Sequence, residues 1–127
     1  MKYRLYTVDR LCRNNGVGDY IVAGYPDWWD VEATETGNRK FNKLLLIHEL
    51  VECMLIQEEG IEEYTIDQFD ANNLDAEEPG ELLNAPYHKE HVHAEFVEKY
   101  LCEAMNVDWN EYSKAIEELI KKHETKR

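Results

Sequence analysis

Alternation of apolar and polar residues defines the first element of the chain. In Lys2–Val8, Tyr3, Leu5 and Thr7 fall on one side, the period of two that a strand requires. Asn14-Asn15-Gly16 and Gly18 interrupt it with turn residues, and a second strand is predicted over Asp19–Ala23. In a third run Trp29, Val31 and Ala33 alternate with Asp30, Glu32 and Thr34, and Thr36-Gly37-Asn38 closes it. From there the period becomes helical. Phe41 to Gln57 is a strongly apolar helix that runs out before Gly60, a residue suited to a left-handed C-cap. Thr65-Ile66-Asp67-Gln68 has capping-box spacing and predicts a short helix through about Leu74. Asp75–Pro86 reads as an acidic loop. His88 to Met105 is the next helix, and Asp108 can cap a last one through about Lys122, with Trp109, Tyr112, Ile116, Leu119 and Ile120 towards the core. The pattern predicts an α+β fold in a single domain over 1–127. A small antiparallel sheet within 1–40 is followed by a bundle of about four helices over 41–124.

Charge sharpens this picture. The 127 residues carry 14 Lys plus Arg against 27 Asp plus Glu, a net charge of −13. The excess is concentrated. Residues 44–113 hold only Lys89 and Lys99 against eighteen acids, while both flanks are slightly basic. Such a surface repels a phosphate backbone, so nucleic acid is excluded as a partner. No run of eighteen apolar residues predicts a membrane span, and Lys2 and Arg4 are not followed by the apolar core of a secretory signal. A cytoplasmic setting is therefore expected. Cys12, Cys53 and Cys102 are odd in number and scattered, which predicts reduced thiols rather than a disulfide framework or a zinc ribbon.

The candidate chemistry lies on two helices. At about 100° per residue, Glu52 stands about 40° from His48 and one turn on, with Glu49 about 60° beyond Glu52. Leu45 and Ile56 share this arc, so something is expected to cover it. A covered carboxylate needs a cation, a hydrogen-bond donor or a proton. On this helix alone, mutual pairing of His48 and Glu52 explains the pattern as well as a metal does. The second helix shifts the balance. His91, Glu95, Glu98 and Cys102 lie within about 60° of one another and form one stripe. A histidine with carboxylates on each of two neighbouring helices is how bundles build metal sites. The expected ligands are His48, Glu52 and His91, with Glu95 or Glu98 as a fourth ligand or an outer group. Glu49 is the candidate general base. Zinc suits this donor set best, and manganese or iron are also accepted by it. His93 stands in an apolar arc with Phe96, Val97, Tyr100 and Ala104 and is read as a core histidine, second to His91. Asp70-Ala71-Asn72 begins like a calcium loop, but Asp75 occupies the position where that loop requires glycine.

Two resemblances follow from these residues. His48-Glu49-x-x-Glu52 on a helix preceded by strands resembles the active helix of zinc peptidases, in which two histidines flank a general-base glutamate. Position 52 is Glu where that family has its second His. Over Phe41 to Tyr112, the residues His-Glu-Leu-Val-Glu at 48–52, Gly60-Ile61, Phe69-Asp70, Pro79-Gly80, Ala85-Pro86-Tyr87, His91 and Val107-Asp108-Trp109 resemble a group of small phage and prophage proteins. That resemblance implies a phage origin, hence the cytoplasm of a bacterial host, and a shared site, but no particular reaction.

Two functions of different class are compatible with the sequence. One is a metal-dependent hydrolase acting on a small-molecule or peptide substrate, with Glu49 as base. The other is a non-catalytic acidic accessory protein whose metal is structural and whose partner is a basic host protein. A nucleotide pyrophosphatase holding magnesium on Glu49/Glu52 and Glu95/Glu98 is a third reading, against which the leading strands and the histidines count.

Overall fold

A computed structural model describes residues 1–24 and 27–125. It is an α+β fold, a three-stranded sheet followed by four helices. Strands β1 (Lys2–Val8), β2 (Gly18–Val22) and β3 (Trp28–Thr34) lie in the order β1-β3-β2. The sheet is mixed rather than wholly antiparallel. β2 and β3 are neighbours in sequence and pair antiparallel, Tyr20 opposite Val31, whereas β1 joins the far edge of β3 in parallel, Leu5 opposite Val31. Alternation of side chains fixes the faces of a strand but not its direction, which depends on where the connection over residues 9–17 delivers the chain.

The central strand is covered on both faces. Trp29, Val31 and Ala33 enter the apolar core, while Asp30 and Glu32 on the other face are held by Arg4 at 2.7 Å and Arg10 at 3.1 Å. The long helix α1 (Arg39–Glu59) packs on the sheet and against the helix over His88–Ala104. Its ends are defined by chemistry. Asn38 accepts from Lys40 N at 2.9 Å and Phe41 N at 3.1 Å. Gly60 terminates it at φ 71°, a left-handed cap that only glycine adopts without strain, and Ile61 N returns to Ile56 O at 2.9 Å.

Helix α2 (Glu63–Ala71) begins two residues before the predicted capping box and ends before Leu74. Thr65 sits inside its first turn; Glu62 and Glu63 precede it, where negative charge suits the helix dipole. Asn73 Nδ2 donates to Phe69 O at 2.7 Å and turns the chain away. The acidic segment that follows is not irregular throughout, since Pro79–Glu81 forms a short 3-10 turn.

Helix α3 (His88–Ala104) overturns one expectation. Its buried residues are Glu90, His91, Ala94, Glu98 and Cys102. The apolar arc faces outward instead: Phe96 is 73 % exposed and Tyr100 66 %, and His93 and Ala104 are exposed beside them. His93 is therefore not a core histidine. The polar stripe wins the interior because α1 presents complementary groups to it, and because Ala94, fully buried, lets the two helices approach. Helix α4 (Trp109–Thr125) closes the bundle, with Asp108 Oδ2 accepting from Glu111 N at 2.9 Å and Tyr112 buried against Phe41.

Candidate metal centre

Two apolar clusters, one built around Leu44, Leu45 and Cys102 and the other around Ile56, Val31 and Tyr87, leave the middle turn of α1 between them. That turn carries His48 and Glu52. Opposite stands His91 of α3. The exposures of His48, Glu52 and His91 are 7 %, 5 % and 4 %. Three ionisable groups thus share a buried site, which isolated helices would not tolerate.

Within it, Glu52 Oε2 lies 3.3 Å from His48 Nε2 and 3.1 Å from His91 Nδ1. His48, Glu52 and His91 each offer one ligand atom, and all these atoms lie within 4.8 Å of one another. A tetrahedral ion with bonds near 2.0–2.1 Å separates its ligands by about 3.3 Å, so the spacing on both sides of Glu52 fits the edge of such a polyhedron. This group can hold a metal ion.

The outer partners are built to orient it. His48 Nδ1 donates to Glu98 Oε1 at 2.8 Å, and Tyr112 Oη donates to Glu98 Oε2 at 2.5 Å. A carboxylate behind an imidazole fixes its tautomer and turns the other nitrogen to the ion, as in zinc sites generally. Tyr20 Oη donates to Glu52 Oε1 at 2.9 Å and leaves Oε2 for the shared site. Glu98 therefore positions His48 rather than completing the ligand group. Glu95 is not part of this set either; its Oε1 pairs with Lys99 at 3.0 Å and its Oε2 stands 3.7 Å from His91 Nε2.

The charges interlock. Burial opposes charge on Glu52, but His48 and His91 outweigh it and hold the carboxyl down to about 2. Burial likewise opposes protonation of His48, yet Glu52 and Glu98 keep its imidazole well above the usual range. Glu49 goes the other way. Burial, and then the charge of Glu52, push its carboxyl well above the ordinary carboxylate range. Among the described residues nothing donates a hydrogen bond to Glu49, and its side chain lies against the backbone of Gly18, where an added Cβ would come within 2.5 Å of Glu49 Cγ.

His48, Glu49, Glu52, His91 and Glu98 all border a cavity of about 310 Å³ between α1, β2, α2 and the 75–80 segment. Its wall is acidic, with Asp19, Asp67, Asp70 and Glu77; Arg13 on that wall is paired with Asp19 at 2.9 Å and Glu63 at 2.9 Å.

His48, Glu52 and His91 thus meet as the helical stripes predict. The sequence reading missed Tyr20 and Tyr112, whose hydroxyls hold the two carboxylates. A signal existed for Tyr112, since a tyrosine assigned to a core needs a partner for its hydroxyl. It also missed Gly80, which is no mere turn residue: a Cβ there would stand 2.7 Å from His91 Cγ and Nδ1. The three cysteines are free and buried, as expected, and burial pushes the Cys12 and Cys53 thiols up to about 12. No helix among the described residues is long and apolar enough to cross a membrane. Comparison with protein-family models, with curated proteins and with solved structures finds no match to this chain.

Proposed function

We propose that this protein is a metal-dependent hydrolase, with zinc held by His48, Glu52 and His91 and with Glu49 as general base. The observation that carries the reading is the pairing, in one cavity, of a buried His/Glu/His group with the Glu49 carboxyl, to which no described residue donates a hydrogen bond. When bound, the ion supplies Lewis acidity and makes water acidic enough to act as a nucleophile near neutral pH. Glu49 takes the proton of the attacking water and returns it to the leaving group. Glu98 and Tyr20 keep His48 and Glu52 aimed while this happens. The acidic wall selects small-molecule or peptide substrates that carry positive charge. Resemblance of the helical part to phage and prophage proteins supports a role in the cytoplasm of an infected bacterium.

Near-complete burial of the three donors favours a second reading, a structural ion in a non-catalytic accessory protein whose acidic surface binds a basic host protein. One experiment separates the two. Elemental analysis after zinc supplementation is combined with a screen of cationic peptide, amide and phosphoester substrates. Glu52→Gln should lower zinc content and melting temperature together, because ion binding adds to folding free energy. Glu49→Gln should leave both nearly unchanged and reduce hydrolysis ~10²-fold or more. Zinc with no hydrolysis in the unaltered protein establishes the structural reading; absence of zinc overturns both.

A further inference from the structure

The buried ring of His91 has one nitrogen in use and one without a partner. Nδ1 faces Glu52 at 3.1 Å, but Nε2, fully shielded from solvent, has no hydrogen-bond partner among the described residues. Leaving a buried ring nitrogen unsatisfied costs free energy, and such an atom points to a missing group. Acids gather around this ring, Glu95 on the Nε2 side. Glu78, Glu81 and Glu95 each offer an oxygen within 4.8 Å of one another and of a His91 nitrogen. Glu95 Oε2, at 3.7 Å, is too far to be a hydrogen-bond acceptor, and its own Oε1 is engaged with Lys99. Carboxylates gathered around an imidazole repel one another unless a proton, a basic side chain such as Lys99 or a bound cation lies between them.

The local build keeps these groups together. His88 Nδ1 lies 2.9 Å from Gly80 O and ties the Pro79–Glu81 turn to the start of α3. Gly80 brings its backbone so close to the His91 ring that any larger residue would displace it. Glu78 and Glu81 are thereby set on either side of the turn, exposed towards solvent and close to the buried His91 ring.

We propose that Glu78, Glu81, Glu95 and His91 Nε2 form a second divalent-cation site, and that the His91 imidazole is the ligand shared between it and the inner site of His48 and Glu52. The shared-ligand part rests on the hydrolase reading above; the outer site does not. Each site uses a different ring nitrogen, so the two ions do not compete for one atom. An oxygen-rich outer site also suits a harder ion such as manganese better than the inner one does.

Equilibrium dialysis against zinc or manganese, read by elemental analysis, tests the site without reference to any substrate. The unaltered protein should bind two ions. Glu78→Gln combined with Glu81→Gln, both exposed and hence tolerated by the fold, should weaken the second ion at least tenfold and leave the first. Glu52→Gln should weaken the first and leave the outer one measurable. A single ion that is unaffected by the Glu78/Glu81 pair overturns this proposal and leaves the hydrolase reading standing. A single ion lost with that pair, but not with Glu52→Gln, overturns the inner site and the bridge together. Electron paramagnetic resonance of the copper-loaded protein then tests the bridge. A shared imidazolate couples the two spins, so the signal of the doubly loaded protein should fall below the sum of the single-site spectra. Additive spectra overturn the bridge.

Discussion

Replacing Gly80 by alanine perturbs the candidate centre from behind, by crowding the His91 ring without removing a donor atom. The new Cβ would stand 2.7 Å from His91 Cγ and Nδ1 and 2.8 Å from Tyr87 Cε2, about 0.7 Å inside ordinary van der Waals contact. Neither ring can yield freely. Both are 4 % exposed; His91 is held by Glu52 at 3.1 Å, and the Tyr87 hydroxyl donates to Asp70. Overpacking of this kind costs about 1–3 kcal/mol. For a domain of this size that is a fall in melting temperature of roughly 4–12 °C. If the strain is relieved by displacing His91, a similar energy is taken from ion binding, a loss of about five- to 150-fold in affinity. Gly16→Ala is the control, because its Cβ meets nothing nearer than 3.5 Å and φ is −82° there. It should shift stability by no more than about 0.5 kcal/mol. The assay is a pair of thermal melts, with chelator and with zinc, and a chelator competition for affinity. Gly80→Ala should melt lower in both and gain less from zinc than the unaltered protein. Indistinguishable behaviour of Gly80→Ala and Gly16→Ala would refute the close seating of the 79–81 turn on His91, and with it the arrangement of Glu78 and Glu81.

Two further outcomes follow from the orientation and the electrostatics. Phe96→Ala should change unfolding free energy by less than about 0.5 kcal/mol, against the roughly 3–5 kcal/mol typical of a core phenylalanine; urea unfolding showing a loss above about 2 kcal/mol would place that face of α3 in the interior after all. Burial pushes the Asp70 carboxyl up to about 6, whereas an unfolded aspartate titrates near 3.9. The folded state then binds more protons between these values, so this group makes stability fall as pH rises from about 4 to about 6. Asp70→Asn should remove that part of the slope in urea melts carried out in chelator, and an unchanged slope would contradict the assignment.

Much of the architecture is written in the local pattern. The strands and α1, α3 and α4 follow from period, and Asn38, Gly60 and Asp108 mark ends that backbone geometry then uses. His48 and Glu52 on one arc, and His91 with Glu98 on one stripe, are consequences of 3.6 residues per turn and needed no tertiary information. What period cannot supply is the partner of each face. Strand alternation leaves direction open, and β1 became parallel to β3 because of where the chain between β1 and β2 returned. In α3 the rule that apolar faces go inside failed. A wheel ranks faces by hydrophobicity alone, whereas burial also depends on whether a neighbour satisfies the polar groups. Glu52 and His48 do this for His91 and Glu98, so the polar stripe went in and Phe96 stayed out. The division between Glu98 as the group behind His48 and Glu52 as the shared ligand was likewise decided by distance, since both are carboxylates on suitable faces. Tyr20 comes from a strand ahead of α1, and Glu78, Gly80 and Glu81 come from the loop that leads into α3. Only folding brings Tyr20 to Glu52 and the loop to the His91 ring, and no spacing along the chain encodes a contact whose separation in space is set by packing.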